Sequence, residues 1–201
     1  SFYAVAGPRS YPPAFFSPSS IEASGTAGEP FRLGAPFAVA RGFEMDIVGT
    51  AVHAFLAADV AGLTNDDRVA LAVDLLKNYG VPDALPARDL IDASSRLRAW
   101  VEERYPGGAC RREWPVILRE ESGSVMRGTA DLIIEMEDSF IVIDHKSFPG
   151  RESEAIVRAA SHAGQLAAYA RAVSLATGKK CLAMFIHLPL AALIVPVATV
   201  A

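Results

Sequence analysis

The chain has 201 residues, of which 51% are hydrophobic, and a chain of this size can bury one substantial core. Its formal net charge of −4 argues against a strongly basic coat for non-specific nucleic-acid binding, but leaves a local basic groove open. Cys110 and Cys181 lie far apart and form no C-x-x-C pair, which excludes a zinc ribbon, a four-cysteine iron–sulfur site and a disulfide framework. We expect both to be buried thiols in a reducing compartment.

Residues 1–43 are rich in Pro, Gly, Ser and Ala and show no sustained periodicity, so we expect an extended arm or linker. Within it, Ser19 is predicted to cap a short turn of helix, with Glu22 completing a capping box. The chain begins at Ser1 and ends on the apolar segment LPLAALIVPVATVA, which is shorter than the ~20 residues of a membrane span. The given sequence shows no signal-peptide pattern, and we hypothesise that it is a piece of a longer polypeptide.

Residues 44–105 are predicted to be helical. The first helix covers 44–61 and carries Gly49 one turn before His53. The second begins after the cap-like Thr64 and ends near Gly80, and the third runs from Ala87 until the Pro-Gly-Gly sequence that follows Tyr105.

Residues 110–201 are predicted to be richer in strands. A strand disturbed by Pro115 precedes a β-hairpin, then a long helix over 151–178 and two apolar strands, CLAMFIHL and AALIVPVATV. Three antiparallel strands, a crossover helix and a further strand of the same sheet form an α/β/α core with a mixed sheet and the N-terminal helices on one side. We therefore expect one domain over 44–201.

The hairpin GTADLIIEMEDSFIVIDHK carries the strongest chemical signal. Side chains alternate along a strand, so Asp144 and Lys146 point to one face, and Asp131 on the neighbouring strand is able to converge with Asp144. Two carboxylates at close quarters favour a divalent cation, and hard oxygen ligands suit Mg²⁺ or Mn²⁺. A salt-bridged strand end without any chemistry is the alternative interpretation.

The long predicted helix carries a second cluster, formed by His162, Gln165 and Tyr169. Spacings of three and four residues place these side chains on one helical face. Packing alone would explain Tyr169, whereas a buried glutamine amide needs hydrogen-bond partners.

Five short motifs occur in a characteristic order: Pro18-Ser19, Gly49-x-x-x-His53, Gly128-Thr-Ala-Asp131, Asp144-His-Lys146 and Gln165-Leu-x-x-Tyr169. In this order they resemble the RecB-type nuclease domain of the PD-(D/E)XK phosphodiesterase superfamily, from about Pro18 to the C-terminus. Such a domain commonly forms the C-terminal part of bacterial helicase–nucleases of the RecB or AddA kind, which process DNA double-strand ends. The resemblance implies a restriction-endonuclease-like α/β/α core with extra N-terminal helices.

The resemblance also implies a metal site. Asp131 and Asp144 would bind Mg²⁺ or Mn²⁺, with His53 as a further ligand and the backbone carbonyl of His145 nearby.

Three further residues gain catalytic roles from the resemblance, beside the two aspartates. Lys146 would polarise the attacking water or stabilise charge that develops on the phosphate, and Gln165 and Tyr169 would orient the lysine or the scissile phosphate.

By the same resemblance we expect a Mg²⁺-dependent deoxyribonuclease in the bacterial cytoplasm, an exonuclease on single-stranded DNA ends. A helicase in the same parent chain or in a partner subunit would deliver the DNA, because TGKK at Thr177 lacks the features of a P-loop. A catalytically inactive relative of the same fold and a hydrolase of small phosphodiesters are the alternatives.

Other polar residues have weaker signals. Glu113 is either an outer-sphere acid or a solvated glutamate on an edge strand, and His187 is expected to be structural. Five arginines either line a phosphate track or form an ordinary charged strand face; they are Arg111, Arg112, Arg119, Arg127 and Arg151.

Overall fold

The computed structural model describes residues 14–21, 25–148 and 152–200. The described strands are β1 Phe15–Phe16, β2 Gly25–Ala27, β3 Phe31–Arg32, β4 Ala109–Arg119, β5 Val125–Glu135, β6 Ser139–His145, β7 Lys180–Leu188 and β8 Leu193–Thr199. The described α-helices are α1 Met45–Ala58, α2 Asn65–Asn78, α3 Ala87–Arg104, α4 Glu152–Ala160 and α5 Ala163–Thr177. A turn of 3₁₀ helix covers Pro18–Ser20.

All eight described strands belong to one mixed sheet, whose main order is β1-β5-β6-β7-β8-β2. Strands β4, β5 and β6 are antiparallel to one another, β6 and β7 are parallel, and β7 and β8 are antiparallel. Helices α4 and α5 make the crossover between β6 and β7. The predicted hairpin and the predicted α/β core with a mixed sheet and additional N-terminal helices are therefore confirmed.

Apolar clusters cover the two faces of this sheet. Phe140 and Val142 of β6 pack on the side of α4 and α5, whereas Ile141 and Ile143 pack on the side of α3 around Trp100. Period-two alternation buries both faces of this central strand, as in a layered α/β structure. A third apolar cluster lies between α1, α2 and α3 and packs these three helices against one another.

Local sequence signals explain two helix ends. Thr64 caps α2, and its hydroxyl and backbone N–H form a reciprocal capping box with Asp67. Helix α5 ends at Gly178, which adopts the left-handed conformation with a φ of 72°.

The predicted single helix over 151–178 is wrong, because the structure has two helices that are separated at Ser161 and His162. The Ser161 hydroxyl donates to the Arg158 carbonyl, which is a local alternative to continuing the helix. Strand β2 passes closely here, since a Cβ on Gly25 would collide with the Ala160 carbonyl oxygen. The break therefore coincides with a contact between distant segments.

The region predicted as an arm contributes three short strands. Strand β1 is parallel to β5, and β2 and β3 are antiparallel to β8. The short turn of helix is capped by Ser17 instead of the predicted Ser19, while Glu22 lies outside the described residues. The domain boundary at residue 43 stays a prediction.

Two cysteine predictions have different outcomes. Both thiols are free, but Cys110 is exposed on β4, so its predicted burial is wrong; Cys181 is half-buried. Among the described strands, β4 pairs with β5 alone and so lies at an edge of the sheet, which explains the exposure. Within the described residues, each helix is too short or too polar to cross a bilayer.

Candidate active site

The side-chain alternation of β5 reverses at Asp131. Ile133 and Ala130 are three residues apart but both pack on the side of α4 and α5, whereas Leu132 packs on the opposite side. A regular strand would place residues an odd number apart on opposite faces. Asp131 therefore lies at an irregularity of strand β5, where its carboxylate is able to approach groups on both faces of the sheet.

The same irregularity affects the neighbouring edge strand β4. Arg112 pairs with Leu132 and Trp114 pairs with Ala130, so the register places Glu113 opposite Asp131. Glu113 has a φ of 47°, which is unusual for a residue other than glycine. Such strained backbone positions cluster at functional sites.

Helix α1 brings His53 to this level. Its Nε2 atom lies 3.1 Å from an Asp131 carboxylate oxygen and 3.8 Å from a Glu113 carboxylate oxygen. The three side chains each offer one ligand atom, and these atoms all lie within 4.8 Å of one another. The structure thus gathers an imidazole and two carboxylates from three separate elements.

Mutual interactions shift the pKa values of this cluster. The hydrogen bond to Asp131 raises the pKa of His53, and partial desolvation raises the pKa of Glu113. Burial acts to raise the pKa of Asp131, but the hydrogen bond from His53 and the nearby His145 outweigh it and lower that pKa. The Asp131 carboxylate also accepts a hydrogen bond of 2.7 Å from the backbone N–H of His145.

Asp144 lies in a separate set of contacts beside this cluster. One of its carboxylate oxygens lies 2.7 Å from Lys146 Nζ, and the other accepts a hydrogen bond of 3.0 Å from the Gln165 amide. Gln165 Nε2 also lies 3.4 Å from the Tyr169 hydroxyl. The four side chains that the sequence analysis singled out are therefore in contact.

Asp144 is 1% exposed, and burial together with the negative charge of Asp131 raises its pKa to about 6. The oxygen that faces Lys146 has no aligned hydrogen-bond donor among the described residues. The Lys146 ammonium group, 2.7 Å away, supplies the counter-charge of this buried carboxylate. Asp144 does not belong to the group formed by His53, Glu113 and Asp131, and its predicted ligation, like that of the His145 carbonyl, stays a prediction.

Two glycines of the motifs permit close approaches. A Cβ on Gly49 would lie 3.0 Å from Ser147 Cβ, so α1 approaches the segment after β6 at this residue. A Cβ on Gly128 would lie 2.8 Å from the Pro18 ring and 3.1 Å from the Tyr169 ring. The close packing at these two glycines brings His53 and Tyr169 to the site.

A cavity of about 270 Å³ opens at the candidate site and is lined by Asp46, Gly49, Thr50, His53, His145, Lys146 and Ser147.

The imidazole of His145 was missed by the sequence analysis, which considered only its carbonyl. Its ring packs edge-on against His53 at 5.9 Å between centroids, and its Nδ1 lies 3.1 Å from Nδ1 of His187. Burial lowers the pKa of His145 to about 4 and lowers the pKa of His187 well below its usual range. No local pattern predicts this pair, because the two residues meet through the parallel register of β6 and β7.

The remaining predicted residues have other neighbours. His162 precedes α5 and stacks on Phe148, with 5.6 Å between the ring centroids. Arg111 forms an ion pair of 3.0 Å with Glu135, and Arg127 covers the Phe15 ring. Burial lowers the pKa of Arg112, Arg119 is exposed, and Arg151 lies outside the described residues. These contacts favour the charged strand face for Arg111 and Arg127.

The family model described as the PD-(D/E)XK nuclease superfamily matches residues 16–197 of the chain. The chain belongs to the PD-(D/E)XK nuclease superfamily. No curated protein matches it significantly. A solved structure titled "Crystal structure of SSO0001" is similar over 73% of this chain and 71% of that chain, with 15% sequence identity and a TM-score of 0.30. A TM-score of this size supports no conclusion on fold or function.

PD-(D/E)XK nucleases use divalent metal ions, and the residues present fit such an ion. The donor set is an imidazole and two carboxylates whose ligand atoms lie within 4.8 Å of one another, with the buried Asp144 carboxylate and its ion-pair partner Lys146 beside them. Oxygen-rich sets with one nitrogen suit hard or borderline divalent cations. The chain is therefore a member of a metal-dependent nuclease superfamily with a matching cluster.

Proposed function

We propose that this chain is the nuclease domain of a RecB- or AddA-type helicase–nuclease, which degrades single-stranded DNA ends during double-strand break repair in the bacterial cytoplasm. One observation carries the proposal: Asp144 lies between Lys146 and Gln165, next to the cluster of His53 and Asp131. This arrangement joins a metal-binding group to a fixed ammonium group, as phosphodiester hydrolysis requires.

The proposed ion is Mg²⁺ or Mn²⁺. His53, Glu113 and Asp131 would hold it, and the nearby Asp144 and the His145 carbonyl complete the ligand set that we propose. When bound, such an ion lowers the pKa of a water molecule and neutralises the nonbridging oxygens of a phosphate.

The remaining side chains position the reacting groups. Lys146 places a positive charge next to Asp144, where it polarises the nucleophilic water or stabilises charge on the phosphate. Gln165 holds the Asp144 carboxylate by a hydrogen bond, and Tyr169 in turn lies within hydrogen-bond distance of the Gln165 amide. These two residues are proposed to fix the geometry of the site.

The net charge of the chain bears on how DNA reaches the site. With a net charge of −4, the chain repels a polyanion over long distances and does not attract DNA by its overall charge. We propose that an attached or partner helicase supplies most of the strand binding and delivers the end to this site.

The test compares variants of the purified chain in the degradation of linear single-stranded DNA with Mg²⁺ or Mn²⁺. Asp144→Asn and Lys146→Ala are each expected to lower the rate by a factor on the order of 100 or more, because each removes charge at the reacting centre. Asp138→Asn and Lys180→Ala are matched controls on exposed residues and should retain the activity.

Two results would contradict the proposal. Absence of DNA degradation by the full helicase–nuclease assembly, with the chain folded, would assign it to the inactive relatives. Hydrolysis of a model diester without any cleavage of DNA would assign it to the hydrolases of small phosphodiesters.

A further inference from the structure

A second cavity lies beside the candidate active site and differs from it in character. It has a volume of about 500 Å³, and its walls are mostly apolar, with Phe37, Val39, Met45, Phe148 and Leu190 among the lining residues. We call it the apolar groove. A cavity of this size falls in the range of ligand-binding sites.

The apolar groove lies close to the site, because residues that are adjacent in the chain line the two cavities. Met45 lines the groove and the next residue, Asp46, lines the cavity of the site; likewise Phe148 lines the groove and Ser147 lines the site. Phe148 is two residues from Lys146, which corresponds to at most about 7 Å between their Cα atoms. A nucleotide chain with a phosphate at Lys146 would therefore reach the groove with its adjacent base.

Guanidinium groups lie near two of the aromatic rings that line the groove. Phe148 stacks on His162 with an interplanar angle of 22°, and the Arg158 guanidinium lies 6.0 Å from the Phe148 ring. The Arg96 guanidinium lies 4.5 Å from the Phe37 ring. Apolar and aromatic surface with cations at its edge matches a base together with its flanking phosphates.

The acidic residue at the groove does not oppose this chemistry. Among the lining residues that the structure describes, the carboxylate is that of Glu152, and it forms a bidentate pair with Arg32 at 2.9 and 2.5 Å. Its charge is thereby offset next to the groove.

We propose that the apolar groove binds one unstacked base of the single strand whose phosphate is cleaved, with Phe148 as the wall on which the base packs. This inference rests on the proposed function and names the part of the substrate that is recognised. A base inside a duplex is stacked between its neighbours and does not enter such a groove without being extruded. The groove thereby selects single strands over duplexes, with little dependence on sequence because every base has a π-face.

The experiment combines a substitution in the protein with the removal of bases from the DNA, as in a double-mutant cycle. The readout is the Kd of a fluorescent single-stranded oligonucleotide in Ca²⁺, measured by fluorescence anisotropy. Phe148→Ala is expected to raise the Kd of the intact oligonucleotide by a factor of about 5 to 100. An oligonucleotide with abasic sites should bind the parent chain equally weakly, and Phe148→Ala should not weaken it further. Phe148→Trp should restore binding, whereas Phe148→Leu, which is apolar but cannot stack, should not.

The control is Val157→Ala, which removes an apolar side chain that is 73% exposed on α4 and should change no Kd. Thermal melts show whether Phe148→Ala folds, and Phe37→Ala repeats the test from the other wall. Additive effects of the protein and DNA changes, or an unchanged Kd for both alanine variants, would overturn the inference. Retained oligonucleotide binding by Phe148→Leu would show that no base stacks on this side chain and would also overturn the inference.

The same experiment separates this inference from the proposed function. A positive cycle without cleavage in Mg²⁺ would leave the base-binding groove in place and reject the nuclease activity. Cleavage in Mg²⁺ without coupling between the protein and DNA changes would retain the nuclease activity and reject the base-binding groove. In a cleaving enzyme, Phe148→Ala should raise the KM several-fold and leave the kcat at saturating DNA within about a factor of three, because the ring contacts a base outside the reacting group.

Discussion

Glu113 combines a strained backbone with a place in the cluster that it forms with His53 and Asp131. Its φ of 47° lies in the left-handed region, which costs a residue with a Cβ about 1–2 kcal/mol. In this conformation the Glu113 carboxylate lies 3.8 Å from His53 Nε2. The β4–β5 register places Glu113 opposite Asp131. The strain is therefore located where it directs an acidic group into the site.

Two substitutions at this position separate the strain from the ligand. Glu113→Gly and Glu113→Ala both remove the carboxylate, and both should lower the Mn²⁺ affinity to the same extent. Glycine tolerates a positive φ, so Glu113→Gly should be more stable than Glu113→Ala by about 1 kcal/mol. Calorimetric Mn²⁺ titration and urea unfolding measure the two effects, and equal stability of the variants would show that the backbone carries no strain.

At the scale of elements, one buried carboxylate joins the three N-terminal helices. Asp59, at the C-terminal end of α1, is fully buried and accepts two hydrogen bonds from Arg68 of α2, at 2.9 and 2.8 Å. Arg98 of α3 completes the ion pairs at 2.9 Å. Because α1 also carries His53, this network fixes the helix that supplies an imidazole to the site.

Loss of the Asp59 charge should destabilise the fold. Asp59→Asn leaves two guanidinium groups without their buried counter-charge, so we expect a loss of about 3–5 kcal/mol in urea unfolding. The matched control Glu120→Gln removes a carboxylate from an ion pair at the surface and should cost at most about 1 kcal/mol.

The same carboxylate makes the stability depend on acid. Burial acts to raise the pKa of Asp59, but hydrogen bonds from Arg68 and Ser94 and the charge of Arg98 outweigh it, so the folded-state pKa is lowered. The stabilisation is then complete above the unfolded pKa of about 3.9 and is lost as the pH falls through the folded value. A parent chain and an Asp59→Asn variant with equal slopes below pH 4 would contradict this assignment.

At the scale of the whole molecule, the sheet buries a pair of histidines between its layers. His145 and His187 are cross-strand neighbours on β6 and β7, and both are buried, with His187 Nε2 unpaired among the described residues. Because burial lowers both pKa values, the folded chain keeps the two rings neutral at pH 7. His145, which contacts both His187 in the sheet and His53 in the site, is thus a buried imidazole that stays neutral at pH 7.

This pair predicts the pH dependence of folding. The unfolded chain binds protons at these histidines below about pH 6.5, whereas the folded chain does not, so stability should fall as the pH drops below that value. From pH 7.5 to 5.5 the two groups together should cost about 2–3 kcal/mol. Urea unfolding in EDTA should show a loss that is smaller by about 1 kcal/mol in His187→Leu.

His53 provides a control of opposite sign for this measurement. Its folded-state pKa is raised by Asp131, so protonation stabilises the folded chain at this residue, and the contribution is lost as the pH rises through the folded pKa. His53→Asn should therefore steepen the loss of stability towards low pH. A His187→Leu variant with an unchanged pH profile would show that the buried pair does not control it.

The amino-acid sequence by itself determined the features that depend on neighbours along the chain. The Thr64 cap, the hairpin of β5 and β6, and the shared face of Gln165 and Tyr169 follow from hydrogen bonds and periodicities over a few residues. Asp144 and Lys146 were found in the same way, because two residues two apart on a strand share a face. These local signals, placed in order, were sufficient to predict the fold class.

The tertiary structure decided the features that depend on contacts between distant segments. The positive φ of Glu113 appears only where β4 pairs with β5, and the break between α4 and α5 lies where β2 crosses the helices at Gly25. The pairing of His145 with His187 needs two strands that a crossover separates. Local periodicity carries no information on which distant groups meet, so the place of Glu113 beside His53 and Asp131 could be read only from the folded chain.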